Sequence, residues 1–319
     1  LLVRFVLFGS VASWIYIFGR WRRHGVVLPY EPRREAPWGP GAALLAIVLA
    51  LLAVLAALAP AGIEPAAQEP EGKTIAVRIA AFTISQLVLV GGFFVVIWIV
   101  YRATVADLGL PRSSGEALRD VGIGIVTCFA ALMPVRTVQG FLLWLMGRED
   151  DVSQHPLIET ITSGGGVDTM VMLLACLSAV VVAPVCEEVA FRLLFQGWLE
   201  KREDEVVRID PDGGPDEWTI QARNTTLEES TKPLLMRGPA QRGLAGLPYG
   251  WMPILVSSLL FGLAHAGYGP EPVPLFLFAI FLGYVFQRTN RILPCIVAQA
   301  LFNSVTMVAL WRIVVQGAE

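Results

Sequence analysis

The sequence predicts an all-α protein, a polytopic transmembrane helix bundle of about eight spans. Of its 319 residues, 55% are apolar and only 16% are charged, whereas typical soluble domains carry about 25% charged residues. The mean hydropathy of +0.61 points the same way. The composition also lacks the low hydrophobicity and high charge that disorder requires. These observations favour an integral membrane protein over a water-soluble enzyme.

Eight apolar runs are long enough to cross a bilayer, which takes about 20 mainly apolar residues in an α-helix. We expect helices in these runs because lipid offers no partner for backbone amides and carbonyls. The sequence shows none of the period-2 alternation that is typical of membrane barrel strands. The runs cover residues 3–19, 41–63, 79–101, 120–146, 170–199, 250–268, 272–288 and 292–315.

Basic residues in the loops predict how the helices are oriented in the membrane. The odd-numbered loops hold 17 Lys and Arg residues, and the even-numbered loops hold three. Because positive loops stay in the cytoplasm, we expect the odd-numbered loops inside the cell and both termini outside it. On the assumption of a bacterial cell, we expect a multi-pass position in the cytoplasmic membrane.

The chain divides into two parts and one insertion. Residues 1–119 form N-terminal transmembrane helices with their loops, and residues 120–315 form a core that contains buried charges. Residues 200–249 are polar and include the turn sequence Asp-Pro-Asp-Gly-Gly-Pro at 210–215, so we expect a cytoplasmic insertion in the core.

Three ionisable residues lie near the middle of the fifth run, where each costs at least about 2.5 kcal/mol on insertion scales. Glu188 and Arg192 are four residues apart, so they share a helix face and can pair. Glu187 points about 100° away from Glu188. An ion pair between helices would explain Glu188 and Arg192, but it explains Glu187 poorly. A carboxylate in a low-dielectric site can serve as a general base near neutral pH.

Two other runs also present polar side chains. His265 ends the sixth run, and Gln299 and Asn303 lie four residues apart on one face of the eighth. Taken singly, a histidine in a span is commonly a packing residue, and carboxamides in spans commonly bond between helices. Together with the charges of the fifth run, they indicate one site that three helices share.

The motifs resemble those of a known family. Glu187-Glu188-x-x-x-Arg192, Phe261-x-x-x-His265 and a late Asn303 are similar to the motifs of the CPBP intramembrane proteases. That family includes the type II CAAX prenyl proteases and bacteriocin-processing relatives. The resemblance covers residues 120–315 and implies an intramembrane endopeptidase. Its substrate would be a membrane-associated or lipid-tethered protein.

The resemblance also implies a role for each motif residue. Glu187 would activate water, and Glu188 with Arg192 would support it. His265 would bind a metal or hold the attacking water. Asn303 would stabilise the oxyanion of the tetrahedral intermediate, a task for hydrogen-bond donors aimed at developing negative charge.

One position departs from the family pattern, whose last motif is usually His-x-x-x-Asn. This chain has Gln299 in place of that histidine. Glu187 and His265 are then the two candidate metal ligands, whereas a catalytic zinc ion normally takes three protein ligands. Gln299 can still donate a hydrogen bond to an oxyanion. The sequence therefore leaves open a glutamate-driven protease with weak zinc binding or none, and a catalytically impaired relative that serves as a membrane scaffold or binding protein.

A transporter is a third class to which buried charges point. It would be expected to show inverted repeats with paired broken helices, and we find none in the sequence. Arg136, midway in the fourth run, can pair with Glu188, reach the membrane surface or line a cavity. The net charge of −3 gives no reason to expect a nucleic-acid partner. The expected partners are membrane lipid and a protein or peptide substrate.

Overall fold

The computed structural model describes residues 2–31, 37–39, 41–42, 72–147, 169–201, 251–266 and 270–316. In this part of the chain every regular element is a helix, and no strand occurs. The predicted all-α class is confirmed for these residues.

Seven helices follow one another in the described residues. They are α1 (Leu2–His24), α2 (Gly72–Tyr101), α3 (Ser114–Leu145), α4 (169–201), α5 (Trp251–Leu263), α6 (Pro272–Thr289) and α7 (Leu293–Gln316).

Five of these helices, α1 to α4 and α6, are long and apolar enough to cross a membrane. Helices α5 and α7 also contain apolar stretches, Trp251–Leu263 and Leu293–Ala309, which are shorter. The predicted span at 41–63 and the insertion at 200–249 lie almost entirely outside the described residues. The structure thus supports a multi-pass bundle, and the count of eight spans stays a prediction.

Large apolar side chains cover the outer surface of the helices. Phe8 is 76% exposed, Trp98 68% and Leu118 74%. Such a surface would be unfavourable in water, and it matches the hydrocarbon interior of a bilayer. The outer face of the bundle is therefore suited to lipid.

Small residues allow close packing between neighbouring helices. A Cβ on Gly124 of α3 would lie 2.7 Å from the carbonyl oxygen of Pro294 in α7. A Cβ on Gly262 of α5 would lie 2.5 Å from the carbonyl oxygen of Pro272 in α6. Only glycine allows backbones to approach so closely, as is common where membrane helices associate. These two contacts fix α7 against α3 and α6 against α5.

A cluster of charged side chains joins two loops and the first turns of α3 at one end of the bundle. Arg291 forms ion pairs with Glu31, Glu116 and Asp120 at 3.1, 3.1 and 3.4 Å. Burial alone would lower the pKa of Arg291, but the hydrogen bond with Glu116 and the nearby carboxylates raise it above its ordinary value. The loop after α1, the first turns of α3 and the loop before α7 therefore meet at one face, as expected for segments that share one side of the membrane.

Helix α4 is interrupted by two π-helical segments. An α-helical segment, Thr169–Leu177, is followed by a π-helical segment at Ser178–Val182, and a second π-helical segment covers Val189–Gln196. The α-helical turn between them, Ala183–Glu188, ends with the two adjacent glutamates. Short π-helical segments are frequent at functional sites. This one helix carries the three ionisable residues that the sequence singled out.

Candidate active site

Glu187 and Gln299 contact each other across the interface between α4 and α7. The carboxamide Nε2 of Gln299 donates a hydrogen bond to Oε2 of Glu187 at 2.5 Å. Gln299 is only 2% exposed, and Glu187 is partly buried. Two predicted site residues that are far apart in the sequence are therefore in direct contact.

Asn303 lies one turn further along α7 and also faces α4. Its Nδ2 donates a hydrogen bond to the carbonyl oxygen of Ala179 at 2.7 Å. Ala179 belongs to the first π-helical segment of α4. The predicted common face of Gln299 and Asn303 is therefore directed at α4, where one carboxamide contacts a carboxylate and the other contacts the backbone.

The predicted pair of Glu188 and Arg192 forms inside the bundle. The Nε of Arg192 lies 3.3 Å from Oε2 of Glu188, and both side chains are completely buried. The guanidinium also lies over the ring of Phe261, with 5.4 Å to the ring centroid. A buried pair leaves an uncompensated charge if one partner is removed, so Glu188 and Arg192 depend on each other.

Ser257 completes the surroundings of Arg192, and the sequence analysis missed it. Its hydroxyl accepts a hydrogen bond from Nη1 of Arg192 at 2.9 Å and donates one to the carbonyl oxygen of Phe191 at 2.8 Å. Ser257, Phe261 and His265 are spaced four residues apart. That spacing is a signal that could have identified the serine, because it places all three on one helix face.

His265 lies in a turn just after α5. The helix ends at Leu263, earlier than the predicted run to 268, because the glycines and Pro270 that follow disfavour helix. The Nδ1 of His265 is 2.8 Å from the carbonyl oxygen of Phe261. Since a carbonyl oxygen can only accept, Nδ1 carries a proton, and whenever the ring is neutral Nε2 is the nitrogen that can accept a hydrogen bond. His265 is also close enough to Glu187 for their charges to interact.

Arg136 does not pair with Glu188 in the described structure. Its guanidinium donates hydrogen bonds to Oε1 of Gln139 at 2.7 Å and to Oγ1 of Thr306 at 2.6 Å. It also lies over the ring of Phe302, 5.2 Å from the centroid. Of the alternatives that the sequence left open, the ion pair with Glu188 is wrong, and the side chain bonds to α7 inside the bundle.

The donor set does not fit a catalytic zinc ion. Glu187 and His265 offer one oxygen and one nitrogen donor, and Gln299 directs its amide nitrogen, which has no free lone pair for a cation, toward Glu187. Within the described ranges, no group of three His, Cys, Asp or Glu side chains is arranged to hold a metal. A catalytic zinc site usually requires three such ligands.

The described helices, with apolar outer faces and buried carboxylates between them, define a multi-pass integral membrane protein. Residues 227–305, about a quarter of the chain, match the family model for Rce1-like proteins, described as type II CAAX prenyl endopeptidase Rce1-like. Over these residues the chain is similar to the family that the motifs indicated. The matched residues include His265, Gln299 and Asn303, and Glu187 lies before them. The curated proteins and the solved structures gave no match.

Proposed function

We propose that this protein is an intramembrane endopeptidase that hydrolyses a peptide bond of a membrane-associated or lipid-tethered protein, with Glu187 as the general base. The observation that carries the proposal is the contact between the Glu187 carboxylate and the Gln299 carboxamide, with His265 in electrostatic range of Glu187. A carboxylate with one oxygen held by a donor keeps its other oxygen for water. The family match supports the reaction class. As part of the same proposal, the enzyme resides in a bacterial cytoplasmic membrane.

The reaction needs one water molecule and no covalent intermediate. Glu187 removes a proton from the water as its oxygen attacks the carbonyl carbon of the peptide bond. The resulting tetrahedral intermediate bears a negative oxygen. When it collapses, the C–N bond breaks and the protonated Glu187 gives its proton to the leaving nitrogen. The products are a carboxylic acid, which keeps the oxygen of the water, and an amine.

His265 orients the attacking water in this mechanism. Because its Nδ1–H is directed at the Phe261 carbonyl oxygen, its Nε2 can accept one hydrogen of the water while Glu187 accepts the other. Two acceptors from different helices restrict the position of the water, which lowers the entropic part of the barrier. His265 therefore acts as a positioning group for the nucleophile.

Gln299 and Asn303 stabilise the oxyanion. Each carboxamide nitrogen carries two hydrogens. One hydrogen of Gln299 is directed at Glu187, and one of Asn303 at the Ala179 carbonyl oxygen. The second hydrogen of each remains for the negative oxygen. Loss of one such donor typically lowers kcat by about 10²- to 10³-fold.

Glu188 and Arg192 fix the position of the base without contacting the substrate. Their buried ion pair and the bond from Arg192 to Ser257 hold α4 against α5. This contact sets the position of Glu187, which is adjacent to Glu188 in the chain. No step of the mechanism passes through a metal, because the described donors do not form a zinc site.

The purified protein in lipid nanodiscs tests the proposal. A reporter peptide joined to a lipid anchor is incubated with it in water enriched in ¹⁸O, and the products are identified by mass spectrometry. We expect two fragments, with one ¹⁸O atom in the new carboxyl group. The same reaction with Glu187→Ala should yield neither fragment. An intact reporter after incubation with the wild-type protein, across anchors and sequences, would contradict the proposal.

A second candidate function is a catalytically impaired family member that acts as a membrane scaffold or binding protein. The observation that favours it is Gln299, which stands where the family pattern usually has histidine. The two candidates differ in what a histidine at position 299 should do, as argued below.

A further inference from the structure

An apolar groove lies at the end of α2, between the last two turns of the helix and the loop that follows. Its volume is about 690 Å³, within the range of about 300–1,000 Å³ that is usual for ligand sites. Three of its side chains, Val95, Trp98 and Val105, are more than half exposed, so the groove opens outward from the bundle. We call it the α2 groove, and its apolar wall consists of Phe94, Val95, Ile97, Trp98, Val105 and Leu108.

Arg102 is the charged residue among those that line the α2 groove. It directly follows Tyr101, where the membrane-spanning part of α2 ends. The side chain is exposed, and in the described part of the chain no ion pair or hydrogen bond engages its guanidinium. A guanidinium presents five N–H donors in a planar fork that matches a phosphate group. The groove therefore joins an apolar wall to a group that can bind phosphate.

The backbone at Arg102 is in the left-handed region, with a φ of +50°. The residue that follows a helix in this conformation is usually glycine, because a Cβ strains it. The N–H of Ala103 bonds to the carbonyl oxygen of Ile97 at 3.2 Å, so the chain turns back over the end of the helix. An arginine at a position that favours glycine points to a use for its side chain.

The loop that carries the far wall of the α2 groove is held in place at both ends. Oδ2 of Asp107 accepts hydrogen bonds from the backbone N–H and the hydroxyl of Thr104, both at 2.7 Å. The N–H of Ile292 donates to the carbonyl oxygen of Gly109 at 3.2 Å, next to the charged cluster around Arg291. The sequence predicts that this end of the bundle is cytoplasmic, and the cytoplasmic leaflet is the one that carries anionic lipid.

The α2 groove is far from the proposed catalytic residues. The Sγ of Cys186, the neighbour of Glu187 in the chain, lies 3.8 Å from the carbonyl oxygen of Gln86 in α2. Trp98 and Arg102 follow Gln86 by 12 and 16 residues. At about 1.5 Å per residue, they lie about 18 and 24 Å further along the helix axis. The groove is thus separate from the place where a peptide bond would be cleaved.

We propose that the α2 groove binds an anionic phospholipid, with one acyl chain against Ile97 and Trp98 and the phosphate at Arg102. A lipid beside α2 has its chain in the bilayer and its phosphate at the membrane surface, where the helix ends. A free phosphate would leave the apolar wall uncovered, and an uncharged lipid would leave the guanidinium unpaired. A zwitterionic lipid offsets the charge of its phosphate with its own ammonium group. An anionic lipid alone among these satisfies both parts of the groove.

Lipid binding to the full-length protein tests the proposal. The protein is purified in a neutral detergent, freed of bound lipid, and titrated with phosphatidylglycerol or with phosphatidylcholine of the same acyl chains. Native mass spectrometry gives the Kd of the first lipid bound. We expect phosphatidylglycerol to bind at least about fivefold more tightly, the factor that one basic residue near a membrane surface contributes. Equal Kd values for the two lipids would overturn the proposal, as would binding of glycerol phosphate, which has no acyl chain, as tight as that of phosphatidylglycerol.

Variants of the headgroup contact assign the preference to a residue. Arg102→Gln should bring the ratio of the two Kd values to within about twofold, because the charge that separates the lipids is gone. The matched control is Arg112→Gln, which removes an exposed charge from the same loop outside the groove and should keep the full ratio. If the two variants bind phosphatidylglycerol equally well, Arg102 does not hold the phosphate and the proposal fails.

A second pair of variants tests the position of the acyl chain. Val105→Trp fills the groove from an exposed position, so it should raise the Kd of both lipids by at least about threefold through loss of apolar contact. Leu118→Trp places the same ring on the exposed face of α3, where Leu118 is 74% exposed, and should leave both Kd values unchanged. Equal effects of the two substitutions would show that the chain lies elsewhere.

The lipid anchor of a substrate is a different occupant with a similar apolar chain, and competition distinguishes the two. A lipid-anchored reporter peptide is added to wild-type protein that is saturated with phosphatidylglycerol. Retention of the lipid while the reporter binds would support the proposal, as the distance from Glu187 predicts. Release of one lipid for each reporter bound would overturn it and assign the groove to the anchor. These measurements record binding alone, so their outcome does not depend on whether the protein cleaves the reporter.

Discussion

The Nε2 of Gln299 donates a hydrogen bond to Oε2 of Glu187 at 2.5 Å, and the two residues are 112 positions apart in the sequence. This bond joins α7 to α4 next to the buried ion pair of Glu188 and Arg192. A neutral donor thus occupies the position where the family pattern usually has histidine. The base is held by a carboxamide, and the mechanism proposed above follows from that arrangement.

Replacing Gln299 with leucine should impair catalysis and leave substrate binding largely unchanged. Leucine has a similar volume but no donor, so Glu187 loses the partner of its Oε2 atom. We expect kcat to fall by about 10²- to 10³-fold, because the substitution also removes one of the two oxyanion donors. Steady-state kinetics on the reporter would measure this change. A kcat within twofold of the wild-type value would exclude a role for the carboxamide.

A histidine at position 299 discriminates between the two candidate functions. If the native protein is a glutamate-driven protease, Gln299→His should give no gain in cleavage, because the carboxamide already holds the base. The zinc content of the purified variant, measured by mass spectrometry, should stay below one ion per chain. A gain of tenfold or more together with stoichiometric zinc would instead identify the native protein as an impaired family member.

Ser257→Ala should destabilise the bundle. The hydroxyl bridges Arg192 and the Phe191 carbonyl oxygen between α5 and α4, and its loss leaves a buried guanidinium with fewer partners. We expect the free energy of unfolding to fall by about 1–3 kcal/mol, measured by denaturation in detergent. Ser304→Ala is a suitable control, because in the described part of the chain Ser304 bonds within its own helix, to the Ala300 carbonyl oxygen. Equal effects of the two substitutions would contradict the bridging role.

Glu271 should make stability depend on pH. Burial raises its pKa above the ordinary value of 4.5, and the charges of His265 and Arg136 offset part of that increase. The folded state therefore binds the proton more tightly than the unfolded state. Folding loses stability as the pH rises from the unfolded pKa through the folded one.

The variant Glu271→Gln lacks this titration. The free energy of unfolding of the variant minus that of the wild type should therefore increase as the pH rises above about 4.5 and then level off. Unfolding in detergent between about pH 4 and pH 8 would measure the difference. A difference that is constant or decreases over this range would show that the pKa is not raised.

The local features of the site could be predicted from the sequence. Glu188 and Arg192 pair because a spacing of four residues places them on one helix face, which holds even where the winding of α4 changes. Gln299 and Asn303 share a face for the same reason. Ser257 was missed because two adjacent serines in an apolar helix have no distinctive pattern unless the spacing of Ser257 to Phe261 is considered.

Features that depend on packing between distant helices could not be predicted. The contact of Arg136 with Thr306 is set by how α3 lies against α7, which no local pattern encodes. The same holds for the contact of Gln299 with Glu187, because the sequence indicated a shared site but not which atoms meet. Helix α5 ends at Leu263, earlier than its apolar run. Hydropathy alone does not define this boundary, because it depends on how strongly the glycines and the proline that follow disfavour helix.

The most direct test of the central claim, that Glu187 is the base, compares two carboxylates of the same helix. Glu187→Gln keeps the shape of the side chain and removes its basicity, so kcat on the lipid-anchored reporter should fall by at least about 10²-fold. Glu200→Gln keeps an acceptor for Nε2 of Gln196, and its kcat should stay within about twofold of wild type. If Glu187→Gln cleaves the reporter as fast as Glu200→Gln, Glu187 is not the base and the account fails.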